Sequence, residues 1–264
     1  DFGLLRWTLD AIRGHPDLAL QLVVTGTHLD PDYGDTRTEI ESLGFAIAAS
    51  VPLGAIGGAS RAIGHALATA TRGLADVFDE MRPDMLLILG DRYEMLAAAQ
   101  AAMVARIPIC HLHGGESTEG VIDEAIRHAI TKMAHIHCVA AEPYARRVRQ
   151  LGEAPANVFV VGATGLDAIA QLPLLDRAQL ERQLGYPIGE AHVLVTYHPV
   201  TLYDETPRAA LQGLLDALDA LPDSVLTITA ANADAGGGAI NTHLEAFAAQ
   251  RRHVHFTPSL GQLR

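Results

Sequence analysis

Short apolar runs alternate with longer helical patterns along the whole chain, and this alternation limits the fold more than any other feature. Nine runs, several rich in β-branched residues, are candidate strands: residues 20–25, 45–51, 85–89, 107–112, 136–140, 158–161, 192–197, 224–229 and 253–256. Seven segments have apolar residues at helical spacing: 4–13, 59–81, 93–105, 120–134, 142–151, 206–220 and 237–251. Such alternation is typical of βα units with parallel sheets buried on both faces. The sequence therefore predicts an α/β fold.

The stretch 163–177 has no strand character and contains Pro173, which predicts a connection between two α/β domains. We expect the first domain over residues 1–165 and the second over residues 166–264. The second domain then holds three candidate strands, which is short for a doubly wound sheet. The chain also opens inside a helical pattern without an initiator Met and ends abruptly at Arg264. We therefore expect segments to be missing at both ends.

Composition indicates a globular protein and argues against two kinds of partner. Of the 264 residues 49% are hydrophobic and 19% charged, and the net charge is −12. No Lys/Arg-rich run exists, so nucleic acid is not an expected partner. The apolar stretch 95–105 is too short to cross a membrane, and we expect no membrane partner. The two cysteines, Cys110 and Cys138, lie in or beside apolar runs, which fits a reducing, cytoplasmic location.

The first motif with chemical content, Gly90-Asp91-Arg92, directly follows the apolar run 85–89. Ligands bind at the carboxyl ends of strands in open α/β sheets. Glycine permits a sharp turn there, so Asp91 is placed to act as a base and Arg92 to hold a phosphate or carboxylate. The alternative is that Asp91 only caps the helix 93–105.

The second motif is His111-Leu112-His113-Gly114-Gly115-Glu116, at the end of the run 107–112. In an extended conformation two histidines at this spacing face the same side. The two glycines permit a close approach of the backbone to a ligand, and Glu116 lies near the strand end. A structural turn with satisfied histidines is an alternative, and a His-x-His metal site is another.

The third motif places charged residues on one or two turns of the helix 120–134. Spacings of three and four residues bring Asp123 or Glu124 beside Arg127 or His128. The helix thus presents a carboxylate with an arginine next to it. The alternative is an ordinary solvated ion pair.

The second half of the chain has weaker signals. His198 follows the run 192–197 in Tyr197-His198-Pro199, where a structural role is the simpler interpretation. Asn232 and Asp234 precede a run of three glycines that opens a helix. A glycine-rich turn at a helix start offers N–H groups to phosphate, although the Walker and GxGxxG patterns are absent.

Taken together, these segments resemble the hydrolysing UDP-N-acetylglucosamine 2-epimerases of sialic-acid and legionaminic-acid biosynthesis. The matching strings are GDRYEMLA (90–97), HLHGGESTEGVIDEAIRHAITKMAH (111–135), RRVRQLGE (146–153), TYHPVTL (196–202) and NADAGG (232–237). The resemblance runs in order over essentially the whole chain. It implies two Rossmann-like domains in a glycosyltransferase-B-type arrangement, with the first strand absent and the second domain incomplete. It also implies a homodimer or homotetramer and no cofactor.

The resemblance further implies a reaction and roles for the residues. A UDP-sugar loses its C2 proton and UDP, which leaves a 2-acetamidoglucal, and water then adds with inverted configuration at C2. The acid–base candidates are Asp91, Glu116 and Asp123. Charge stabilisation and positioning are assigned to Arg92 and Arg127, with His198 contacting the substrate or its diphosphate. The remaining substrate-binding candidates are His113, Glu124, His128, Asn232 and Asp234.

One departure from the family pattern concerns position 113, where some relatives have a catalytic glutamate and this chain has His113. The role of that glutamate then passes to Glu116, to His113 or to a different carboxylate. Three other functions stay open: a non-hydrolysing 2-epimerase, a metal-dependent hydrolase that uses His111 and His113, and a catalytically inactive binding module.

Overall fold

The structure is a computed structural model that describes residues 2–30, 36–54, 60–198, 207–231, 237–258 and 260. It divides into two compact units, Asp1–Ala170 and Gln171–Arg264. This division and the domain boundary predicted from the sequence both fall within the helix Gly165–Gln171.

The strands lie where the sequence predicts them. They are β1 (Leu22–Thr25), β2 (Ile47–Val51), β3 (Leu86–Leu89), β4 (Ile109–Leu112), β5 (Ile136–Val139), β6 (Val158–Val160), β7 (His192–Thr196), β8 (Val225–Thr229) and β9 (Val254–Thr257). Each overlaps one predicted strand, and every pairing among them in the described residues is parallel. The predicted α/β class with parallel sheets is confirmed.

Ten helices accompany the strands in the described part of the chain. They are α1 (Phe2–Gly14), α2 (Arg37–Ser42), α3 (Ser60–Met81), α4 (Tyr93–Ala105), α5 (Asp123–Met133), α6 (Glu142–Gln150), α7 (Gly165–Gln171), α8 (Arg177–Leu184), α9 (Pro207–Asp219) and α10 (Gly237–Ala249). Seven overlap predicted helices, whereas α2, α7 and α8 are not predicted. Helix α7 occupies about half of the stretch 163–177, which the sequence predicts to connect the two domains. None of these helices combines the length and apolar character needed to cross a membrane.

The first unit contains a two-stranded sheet, β1-β2, and a four-stranded sheet in the order β3-β4-β5-β6. Parallel pairing brings the carboxyl ends of β3, β4 and β5 to one edge of the larger sheet, in the register Ile88↔His111↔His137. Helix α4 supplies small buried residues to the core, including Ala97, Ala99 and Ala102. Such side chains let helix α3 approach α4 closely, and the two helices pack along much of their length. The sheet edge therefore lies beside closely packed helices.

The second unit has one three-stranded sheet in the order β7-β8-β9. Its core contains Leu226 and Ile228 from the central strand, packed with Ile240 and Leu244 from α10. All four are essentially inaccessible to solvent. This unit therefore has a core built from its own sheet and helices.

Candidate active site

The turn after β3 carries Asp91. Gly90 has a φ of +79°, in the left-handed region that favours glycine, and its N–H donates to the Leu112 carbonyl at 3.0 Å. Helix α4 begins directly afterwards with Arg92, not Asp91, at its N-cap position, and no side chain caps it. The capping role considered for Asp91 is therefore wrong. Its carboxylate pairs instead with Arg127, which lies 36 residues further along the chain.

Arg127 of α5 joins the three sequence motifs. Its Nη2 donates to Oδ2 of Asp91 and, at 3.0 Å, to the Thr118 hydroxyl. Its Nη1 donates to Oε2 of Glu124 at 2.7 Å and to the Glu116 carbonyl at 3.1 Å. The arginine side chain is only 3% exposed. A buried cation is costly unless it is paired, and here two carboxylates pair with it.

Glu124 makes ion pairs of the kind predicted for this helix. Its carboxylate contacts the arginine and lies 3.0 Å from Nε2 of His128. It also accepts hydrogen bonds from the Thr118 N–H at 2.6 Å and the Ser117 hydroxyl at 3.0 Å. Burial raises the pKa of Glu124, but these hydrogen bonds outweigh burial and hold the pKa below its ordinary value. The carboxylate of Glu124 is therefore held in place by hydrogen bonds and stays ionised at neutral pH.

His111 lies beneath the site, completely buried. Its Nε2 lies 2.8 Å from the Gly90 carbonyl, and its Nδ1 lies 3.3 Å from the Thr131 hydroxyl. The same hydroxyl donates to the Arg127 carbonyl at 3.0 Å. Burial lowers the pKa of His111 to about 4, so the ring is neutral at neutral pH. A neutral ring must donate from Nε2 because a carbonyl only accepts, so its Nδ1 presents a lone pair towards the Thr131 hydroxyl of α5.

His113 and Glu116 form a pair at the end of β4. Nδ1 of His113 lies 2.7 Å from Oε1 of Glu116. On the other side of the ring, the backbone N–H and the hydroxyl of Thr164 each lie 3.3 Å from Nε2. The Glu116 side chain is 31% exposed and the His113 side chain 21% exposed. Both are thus within reach of a bound molecule.

Gly114 and Gly115, which lie between His113 and Glu116, allow close packing within the protein. A Cβ on Gly114 would lie 3.0 Å from Nδ1 of His111, and one on Gly115 only 2.5 Å from the Tyr144 carbonyl. Gly115 also has a φ of +78°, and its carbonyl accepts a hydrogen bond from Arg147 of α6. The sequence predicted that these glycines bring the backbone close to a ligand. In the structure they bring the loop close to α6 and to the buried histidine.

The His-x-His metal hypothesis has little support from this geometry. All four ring nitrogens of His111 and His113 have hydrogen-bond partners within the protein. His111 is also buried. Among the described residues, no group of three or more His, Cys, Asp or Glu side chains is arranged to hold a metal ion.

The other predicted site residues differ in how far the structure describes them. Asp123 is the half-buried first residue of α5. His198 follows β7 in the second unit and is exposed. Asn232 and Asp234 lie outside the described residues, so their predicted contact with a nucleotide stays a prediction.

Several residues of the site have no sequence signal that distinguishes them. Thr118, Thr131 and Thr164 are common polar residues, and only their positions in the fold bring them to the arginine and the histidines. Glu94 is different, because it follows the first motif by two residues and is only 4% exposed, with Oε2 at 3.4 Å from Nε of Arg92. A carboxylate in the first turn of a largely apolar helix was the signal that could have identified it.

The described part of the site can support proton transfer. The carboxylates of Asp91 and Glu124 pair with Arg127, which also donates to the backbone carbonyl of Glu116. The three carboxylate side chains are each about 30% exposed. Carboxylates act as general acids and bases when a substrate proton comes within hydrogen-bond reach. The surrounding hydrogen bonds hold these groups in place before any substrate binds.

Comparison with known proteins identifies relatives of the whole chain. A sequence profile of the UDP-N-acetylglucosamine 2-epimerase family matches residues 10–264. The GDP/UDP-N,N'-diacetylbacillosamine 2-epimerase (hydrolyzing) of Campylobacter jejuni is 38% identical over 96% of this chain and 66% of that protein. The UDP-N,N'-diacetylbacillosamine 2-epimerase (hydrolyzing) of Legionella pneumophila is 36% identical over 94% of this chain and 65% of that protein. The chain thus spans about two thirds of the length of these curated relatives.

Solved structures show the same fold. The UDP-GlcNAc 2-epimerase of Neisseria meningitidis bound to UDP-GlcNAc matches with a TM-score of 0.82 at 17% identity, over 98% of this chain and 70% of that chain. The enzyme of Methanocaldococcus jannaschii, in complex with UDP-GlcNAc and UDP, matches with a TM-score of 0.78 at 13% identity, over 100% of this chain and 72% of that chain. Since the family profile covers nearly all of the sequence, the chain belongs to the UDP-N-acetylglucosamine 2-epimerase family.

Proposed function

We propose that this protein is a hydrolysing 2-epimerase of nucleotide sugars. Its substrate is UDP-N-acetylglucosamine or a related 2-acetamido sugar linked to UDP or GDP. Removal of the C2 proton and departure of the nucleotide give a 2-acetamidoglucal. Water then adds to C1 and a proton to C2 with inverted configuration, which yields an N-acetylmannosamine-type sugar and the free nucleoside diphosphate.

One observation carries this proposal: Asp91 is held in an ion pair with the buried Arg127 at the sheet edge where α/β folds bind ligands. The C2 proton of the sugar is only weakly acidic, so its removal requires a positioned base. Glu116 follows within the neighbouring loop, next to His113. The names of the two curated relatives, both hydrolysing 2-epimerases, support the hydrolysing outcome.

The roles of individual residues are part of the proposal. Asp91, Glu116 and Asp123 exchange protons with the sugar. Arg127 fixes the carboxylates, and Arg92 stabilises the charge of the leaving diphosphate. The candidates for substrate contacts are Glu124, His128, His198, Asn232 and Asp234.

The substitution Asp91→Asn tests the proposal in the full-length protein. An amide cannot take up the sugar proton, so we expect the rate of UDP release from UDP-N-acetylglucosamine to fall by about 100-fold or more. Binding of the nucleotide does not depend on the Asp91 carboxylate. We therefore expect the UDP affinity of the variant, measured by calorimetry, to stay close to that of the wild type.

Asp76→Asn is the matched control, because Asp76 is exposed on α3 in the same unit. It should leave the rate unchanged. Wild-type turnover in the Asp91 variant contradicts the assignment of the base. If the wild-type protein gives an epimerised nucleotide sugar in place of free sugar and UDP, it is a non-hydrolysing 2-epimerase.

We further propose that the protein is cytoplasmic and forms a homodimer or homotetramer. Both cysteines are free thiols, which supports a reducing compartment. Light scattering coupled to size-exclusion chromatography measures the oligomeric state. A monomer at micromolar concentration contradicts that part of the proposal.

A further inference from the structure

The backbone at His113 has an unusual conformation. Its φ of +62° lies in the left-handed region, which residues other than glycine adopt uncommonly, although asparagine, aspartate and histidine do so more often than the rest. The conformation is fixed on one side because the His113 N–H donates to the Cys138 carbonyl of β5 at 3.0 Å. It turns the chain out of β4 and orients the imidazole towards Glu116. Strained backbone of this kind persists where the surroundings hold it, often at functional sites.

The partners of the ring determine where its proton lies. The backbone N–H of Thr164 can only donate a hydrogen bond, so Nε2 of His113 must offer a lone pair. The neutral ring therefore carries its proton on Nδ1. That proton points at Oε1 of Glu116, 2.7 Å away, and the carboxylate accepts it.

We propose that His113 is a positioning residue: in its neutral Nδ1–H form it holds the Glu116 carboxylate, and Glu116 is the group that acts on the sugar. This inference rests on the proposed function. His113 itself does not transfer the proton, because both of its ring nitrogens are engaged within the protein.

The surroundings of Glu116 support this division of roles. Arg127 donates to the Glu116 carbonyl and thereby fixes the backbone, while His113 fixes the side chain. Thr164, which is 8% exposed, supports the outer edge of the imidazole and keeps the ring from rotating. The Glu116 side chain is the more exposed of the pair, which gives it the better access to a bound sugar.

Two substitutions separate the hydrogen bond from the backbone conformation. His113→Gly keeps the left-handed backbone and removes the donor. His113→Asn also tolerates that backbone, and its side-chain amide can donate from a position near that of Nδ1. If His113 positions Glu116, the glycine variant lowers kcat for UDP release by up to about 100-fold, the effect of misplacing a reacting group by about 1 Å. KM changes little, and the asparagine variant recovers most of the loss.

A double-mutant cycle with Glu116→Gln tests whether the two residues act as one unit. We expect His113→Gly to have no further effect on kcat in the Glu116→Gln background, since the group it positions is already inactive. If the two substitutions lower kcat independently, so that their effects multiply in the double variant, the proposal is overturned. A glycine variant with wild-type kcat overturns it as well.

The tautomer provides a readout that does not depend on activity. In protein labelled with ¹⁵N-histidine, the resonances lost in His113→Asn identify His113, and their shifts distinguish Nδ1–H from Nε2–H. We expect the Nδ1–H form, and the Nε2–H form or a protonated ring at pH 7.5 contradicts the inference. If the wild-type protein releases UDP from no nucleotide sugar, the proposed function fails, whereas the spectrum still tests the His113–Glu116 contact on its own.

Discussion

At the scale of single residues, His111 shows how a buried group sets the geometry of exposed ones. It is completely buried, yet it hydrogen-bonds the carbonyl next to Asp91 and contacts the helix that carries Arg127. Burial is the main cause of its lowered pKa, the Gly90 carbonyl opposes that shift, and the charges of His137, Arg127 and His113 add to it. The folded protein therefore holds this imidazole neutral.

This leads to a prediction about stability and pH. In the unfolded chain the pKa of His111 is near 6.5, and in the folded chain it is about 4, so the unfolded chain binds the proton more strongly. The stabilising effect is complete above pH 6.5 and is lost as the pH falls towards 4, by about 2 kcal/mol between pH 7 and pH 5. Replacing His111 with Gln removes this dependence, while its amide can still donate to the Gly90 carbonyl.

Urea unfolding at pH 7 and pH 5 measures the effect. The loss of unfolding free energy between the two pH values should be smaller in His111→Gln than in the wild type. Part of the dependence remains, because burial also lowers the pKa of His137. Equal losses in the two proteins would show that His111 is not the titrating group.

The site residues were predictable from the sequence to the extent that they are rare and clustered. Asp91 stands out because it follows an apolar run after a single glycine, Glu116 because it follows two glycines at a strand end, and Arg127 because it lies at helical spacing from acidic residues. That Glu124 pairs with Arg127 was not predictable, because the helical spacing of Asp123 allows an ion pair as well. The contact between Asp91 and Arg127 depends on how β3 and α5 pack, which local spacing does not specify.

At the scale of elements, short apolar runs predicted the nine strands, and apolar residues at helical spacing predicted seven helices. The shorter helices were missed. Helix α8 had a usable signal, because Asp176 and Gln179 form a capping box and Gly185 ends the helix in a left-handed conformation. Helix α7 has no buried residues, so it lacks the apolar stripe on which helix prediction depends.

The loop between β4 and α5 provides a prediction at this scale. Gly115→Ala forces a side chain into the left-handed region and against the Tyr144 carbonyl of α6. We expect the free energy of unfolding to fall by about 2–5 kcal/mol, the sum of backbone strain and overpacking. Activity should fall as well, since the loop carries Glu116.

Gly64→Ala is the matched control for this prediction. Gly64 is exposed in α3, and a Cβ there meets no atom within 4 Å. The same substitution should therefore stabilise the protein by about 0.4–1 kcal/mol, because alanine loses less entropy in a helix. Thermal unfolding distinguishes the two cases by opposite shifts of Tm, and a Gly115 variant with an unchanged Tm contradicts the packing argument.

At the scale of the whole molecule, the chain has separate cores. The main cluster of the first unit lies around α3, α4 and the β3–β4 strands, and that of the second lies around β8 and α10. The two clusters share no residue. The sequence indicated two domains through its strand pattern, but it could not specify which apolar residues meet, because that depends on sheet order.

Separate cores predict a localised response to a core substitution. Leu244→Ala leaves a cavity in the core of the second unit, where Leu244 is completely buried, and costs about 2–5 kcal/mol. Hydrogen exchange should show faster exchange for the amides of β7–β9 and unchanged protection for those of β3–β6. Leu221→Ala, at a position 39% exposed in the same unit, should leave hydrogen exchange unchanged in both β7–β9 and β3–β6. Loss of protection in both sheets contradicts the separation of the cores.

The four hydrogen bonds of Arg127 have a consequence for the design of inhibitors. A guanidinium has two hydrogens on each terminal nitrogen, and here every one of the four already has an acceptor within the protein. A phosphonate or carboxylate directed at this arginine would have to displace Asp91 or Glu124. It would thereby break the hydrogen bonds that hold these carboxylates in the site. Compounds that donate hydrogen bonds to the carboxylates, as a protonated iminosugar does, fit the charge of this site better than anionic ones.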